Sequence, residues 1–288
     1  MALPPSQRPF NLTASDVTLM AELRSSAGLS TVGTAEFSKL AMGALLHAAC
    51  EAAVPSGASA ADVEAAEAAK ARAAAGDRST PIHLHAFHAA LGEIVPTSHS
   101  LAPARQREMS LALTTLFLIA EQYAWGGGEE GEEGGGAAGG GGSPGKEASA
   151  RGIPAAELVT ALFFLCDGTK TEKLSEAFKL CDVDGDGFLT LPQTESMLRG
   201  ALANLAAVRS RAHLDAETPS ETAAMDHLAD SVKHLAARVM REAARGQGGG
   251  RLTFQGLCEW YNSGGYNHLG FLELLDWKKL VQLCPPQK

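Results

Sequence analysis

No run of apolar residues in this chain approaches the roughly 18 that a membrane helix requires, so membrane insertion is not expected. Basic residues are in deficit. The 24 Lys and Arg stand against 33 Asp and Glu, a net charge of −9, which is the wrong sign for a surface dominated by phosphate contacts. Nucleic acid is therefore not an expected partner, and cations or basic helices match better. Cysteines are few: Cys50, Cys166, Cys181, Cys258 and Cys284 are scattered, odd in number and never spaced as CxxC, which fits a reducing, cytoplasmic setting. The start MALPPSQRPF has no basic segment followed by an apolar one, and Ala2 stands where myristoylation needs glycine, so neither leader nor lipid anchor is expected. Nucleophile elbow, kinase signature, HExxH and dinucleotide fingerprint are all missing, and the chain is not expected to be an enzyme. A sustained period-two alternation is missing as well, which argues against an extended sheet.

What is present is helical. With 288 residues, 45% of them hydrophobic, the chain can bury a sizeable core. Leu113, Leu116, Phe117 and Ala120 fall at i, i+3, i+4 and i+7, as do Leu158, Ala161, Leu162 and Leu165. Leu174, Ala177, Phe178 and Cys181 repeat the spacing, and so do Leu198, Ala201, Leu202 and Leu205. Thr169 and Glu172 have the spacing of a capping box that starts one of these helices. The fold class expected is all-α. Two segments depart from the pattern. Residues 126–152 form a Gly/Glu tract too poor in apolar groups to offset its ordering entropy, which reads as a flexible loop. Residues 55–80 are alanine-rich and read as a frayed helix or an insertion.

Between two of the helical segments lies Asp182-Val-Asp184-Gly-Asp186-Gly187-Phe188-Leu189-Thr190-Leu-Pro-Gln193. Three carboxylates on alternate residues repel one another, and none has a basic neighbour, so the cluster calls for a cation. Gly187 supplies a sharp turn, Phe188 a backbone carbonyl and Thr190 a water-mediated contact, the spacing of hard oxygen donors around calcium in an EF-hand loop. Position twelve, ordinarily Glu, is Gln193, which offers at most one neutral oxygen. Losing that charge and ligand weakens calcium binding by one to three decades, about 1.4–4 kcal/mol, and lets magnesium compete. Thr190 and Gln193 also have the spacing of a capping box for the exiting helix.

The stretch Gly168-Thr-Lys-Thr-Glu-Lys-Leu-Ser-Glu-Ala-Phe-Lys-Leu-Cys-Asp-Val-Asp-Gly-Asp-Gly resembles EF-hand calcium-binding proteins of the sensor type, in the neuronal calcium sensor, calcineurin B-like and calaxin branches. The likeness is strong over this one loop with its helices. Three further segments keep the family's apolar positions eight and thirteen without its ligands. They are residues 75–86 (Ile82, Phe87; Asp77 and Ser79 polar), residues 146–157 (Ile153, Leu158; Glu157 at twelve) and residues 245–256 (Leu252, Leu257). The resemblance implies helix-loop-helix pairs forming two lobes, with only very short β pairing between loops and with Leu189 opposite Leu252. It also implies a regulatory protein that rearranges its helices on binding calcium and engages a protein target, a basic or amphipathic helix. A calcium-independent helical scaffold with a vestigial loop is the alternative. The implied organisation runs through residues 1–54 (a further degenerate unit or a helical cap), 55–80, 81–125, 126–152, 153–168, the ligand-bearing unit 169–205, the degenerate unit 221–263 and an apolar tail 264–288.

In that tail Phe271, Leu272, Leu275, Trp277 and Leu283 read as a helical apolar surface, which either packs in cis as core or groove plug or docks a partner. Other chemistry is less well supplied. His83, His85 and His88 lack a nearby cysteine or carboxylate to complete a zinc site, and His227, Asp230 and His234 read as a salt-bridged helix face. The run Gly140 to Lys146 imitates a phosphate loop but is followed by Glu147 and preceded by no strand.

Overall fold

The computed structural model describes residues 14–52, 60–95, 102–125, 152–212, 220–244 and 250–283. The Gly/Glu tract up to residue 151, the phosphate-loop mimic and Cys284 lie outside them. The described residues are mostly helical, in the order α1 (Ala14–Ala27), α2 (Thr34–Glu51), α3 (Ala60–Ala74), β1 (Pro81–Ile82), α4 (Leu84–Ile94), α5 (Pro103–Trp125), β2 (Ile153–Pro154), α6 (Ala155–Ala161), α7 (Lys170–Cys181), β3 (Phe188–Leu189), α8 (Leu191–Ala212), α9 (Ser220–Ala243), β4 (Leu252–Thr253), α10 (Phe254–Asn262), two short 3-10 stretches (Gly265–Asn267 and Gly270–Leu275) and α11 (Trp277–Leu283). No helix among them is long and apolar enough to cross a membrane.

The strands are two residues long and pair antiparallel, β1 with β2 and β3 with β4. Ile82 faces Ile153, and Leu189 faces Leu252, with all four side chains fully buried. Each ribbon therefore ties together the starts of two helices, α4 with α6 and α8 with α10, by strand pairing and one apolar pair. Gly152 makes the first ribbon feasible: its φ is 65°, and a Cβ there would lie 3.0 Å from the Ile82 carbonyl oxygen.

One continuous apolar core runs beneath both ribbons. At its centre lies α6, every residue of which is buried, crossed closely by α8. Gly200 permits that crossing, since a Cβ there would come within 2.6 Å of the Glu157 carbonyl. The expected helix through Leu158, Ala161, Leu162 and Leu165 ends at Ala161, and the next four residues continue in buried turns. Burial on all sides removed the need for a helical stripe there; the spacing was that of a generally apolar segment. By contrast α7 starts at Thr169 with the complete capping box. The alanine-rich segment supplies α3, whose Ala73 is buried and which packs on α2.

The tail also differs from expectation. Its apolar residues do not lie on one helix, because Gly264, Gly265 and Gly270 break it into 3-10 turns before the short α11. Leu269, Phe271, Leu272, Leu275 and Leu280 are nonetheless buried, and Gly270–Leu275 packs on α7 and α8. Glu273 holds the segment in place, accepting hydrogen bonds from Lys170 on α7, Tyr261 on α10 and Lys279 on α11. Burial would raise its pKa, but those three donors and the Lys170 charge outweigh it and hold the carboxyl down at about 2.

Candidate cation site

Asp182 ends α7 as its C-cap residue, and the chain then turns through Gly185 and Gly187, at φ 69° and 82°, into β3. Both glycines occupy the left-handed region, which is why the loop can fold back over three residues. That curl brings one carboxylate oxygen from each of Asp182, Asp184 and Asp186 within 4.8 Å of the others, the one group among the described residues whose His, Cys, Asp and Glu side chains could hold a metal ion. Asp182 is largely buried, and its two oxygens accept the amides of Asp186 (3.2 Å) and Gly187 (2.9 Å). Asp186 accepts the amide of Phe188 at 2.9 Å. The backbone thus orients two of the three carboxylates before any ligand arrives. Hard, closely spaced oxygens of this kind suit calcium or magnesium.

The remaining sequence-predicted donors are arranged differently from one another. Phe188 lies in β3 opposite Thr253, which fixes its backbone at the edge of the loop. Thr190 donates its hydroxyl proton to Gln193 Oε1 at 2.8 Å, and its amide donates to the same oxygen at 2.7 Å. Gln193 therefore performs the reach-back half of a capping box, with its carbonyl oxygen engaged at the start of α8. Its Nε2 is the end nearer the triad, 3.4 Å from Asp184 Oδ1.

One expectation fails. The triad does have a basic neighbour, although not along the chain: Arg251, just before β4, donates to Asp186 Oδ2 across the ribbon. The register sets Arg251, one residue before Leu252, level with Thr190, and its long side chain reaches back from there to Asp186. The second residue missed is Arg78, which donates to the carbonyls of Lys179 and Asp182 and ties the first loop to the end of α7.

The other candidates do not assemble. Glu157, placed at a loop's twelfth position by the resemblance, is fully buried and accepts from Ser196 and Arg199 on α8. Burial raises its pKa, with Arg199 opposing. His83 and His85 stack on each other 5.9 Å apart, and His88 bonds Thr114. The side chains of His227 and Asp230 lie outside the described residues. Comparison of the chain with protein-family models, with curated proteins and with solved structures gives no match.

Proposed function

We propose that the chain binds one divalent cation, calcium with magnesium as competitor, in the loop Asp182–Gln193, and that it acts as an EF-hand-type regulator of a partner protein. The observation that carries this reading is the gathering of three carboxylates within 4.8 Å on a loop between two helices. Asp182, Asp184 and Asp186 would supply side-chain oxygens, Phe188 its carbonyl, Thr190 a water bridge and Gln193 a weak last contact after releasing Thr190. The same loop is braced by the Leu189–Leu252 pair, so a change in its curl would be felt by α7, α8 and the following helix-loop-helix turn. A basic or amphipathic helix suits the net charge as a target.

The second reading, a helical scaffold indifferent to calcium, draws on two contacts: Gln193 is engaged by Thr190, and Asp186 by Arg251. Calorimetric titration with calcium, then magnesium, decides between them. Saturation below about 1 mM calcium, lost in Asp182→Ala, is the outcome expected of the regulator. Heat of dilution only, in both titrations, would leave the scaffold.

A further inference from the structure

Lys173, on α7, is fully buried, and its Nζ has no hydrogen-bond partner. An ammonium buried there without a hydrogen-bonding partner disfavours whatever packing seals it in. The charged and titratable groups around it are Arg24 on α1, Cys166 and Asp167 in the turn before α7, and Asp276 at the start of α11. Both carboxylates are engaged elsewhere. Asp167 pairs with Arg24, and Asp276 accepts the Lys279 amide at the start of α11. Arg24 itself is satisfied by the carbonyls of Phe164, Cys166 and Ser30. On the same helix Lys170 is held by Glu273, while Glu157 of α6 and Arg199 of α8 hold each other.

The C-terminal segment closes over this region. Gly270–Leu275 lies on α7, and the Trp277 ring stands 5.7 Å from the Arg24 guanidinium. Unlike the helices beneath, it is short and in part 3-10, so it can open locally as a unit. We propose that Lys173 makes the seating of segment Leu269–Leu283 proton-dependent: the segment docks over the neutral amine and loosens when the amine gains a proton. Loosening admits water to Nζ.

The direction follows from the burial. Lys173 is held down at about 8, chiefly by its removal from water; Cys166, Asp167 and Asp276 pull the other way and Arg24 adds to the lowering. With the segment lifted, the amine returns toward about 10.4. Docking is therefore weakest, and level, below pH 8, and it strengthens as pH rises from there toward the free value. Nothing in this depends on the cation loop.

The test uses the full chain labelled with 5-fluorotryptophan, the Trp277 fluorine signal being assigned through Trp277→Phe. The ratio of docked to lifted signal should rise about thirtyfold between pH 7 and 9.5. Lys173→Met, close in volume to the aliphatic stem it replaces, should show the docked signal at both pH values. A wild-type ratio that does not change with pH overturns the proposal. So does a wild-type signal docked at both ends, or a pH slope that survives in Lys173→Met.

Discussion

Asp77 and Asp186 each accept an arginine, in loops that lead into equivalent strands, and the two loops come out electrostatically different. Ahead of β1, Arg72 donates to Asp77 at 2.7 Å while Ser79 supplies its amide and hydroxyl to the other oxygen. One guanidinium meets one carboxylate, and the loop is closed by its own residues. Ahead of β3, Arg251 pairs with one of three clustered carboxylates, so two negative charges are left over. With Arg78 counted, the first loop is net positive and has no use for a cation; a cluster left with charge −2 suits a divalent one. The contrast also shows that the strand frame and the ligand set are separable, since both ribbons form with the same register of buried apolar pairs.

The comparison can be broken or sharpened by substitution. The largest effect is expected from Gln193→Glu, which keeps an oxygen for Thr190, removes the donor near Asp184 and adds a charge. Calcium affinity measured by calorimetry should rise about ten- to thousandfold, and the ion-free protein should melt lower. An unchanged affinity would mean that position twelve faces only the helix start. Next is Asp77→Ala, which frees Arg72 and Ser79 and should lower stability by about 1–2 kcal/mol in urea denaturation while leaving the calcium titration as it was. A shifted titration would show that the first loop communicates with the second, through Arg78. The smallest is Arg251→Gln. Its ion pair with Asp186 is half exposed, so its loss should raise calcium affinity only about two- to fivefold, with the gain fading in high salt. A larger gain would make Arg251 a true competitor for the site.

Much of the helical architecture was legible because it is local. The stripe in α5, the start of α7 at Thr169 and the turn at Gly187 each depend on residues within one or two turns of one another. The buried pair Leu189–Leu252 was legible for another reason: the family resemblance assigns both residues the same loop position, and the structure sets them opposite each other. The stop of α6 at Ala161 was not legible, since a segment apolar on every side has no face to give its period away. Neither was the breaking of the tail, where glycines and burial against α7 and α8 prevailed over the apolar spacing. Within the site, the triad was plain in the sequence, but Arg251 lies 65 residues from Asp186 and meets it only through the tertiary fold.

The order of the residues, taken alone, determined that helices form, where α7 begins, and that three carboxylates crowd one turn, because propensity, capping and charge repulsion act over a few residues. The tertiary structure decided which charges meet. It brought Arg251 to the triad, gave Glu157 to Arg199, and sealed Lys173 beneath the C-terminal segment without a partner. Coulomb energy and desolvation depend on distance and depth in space, and neither is written along the chain.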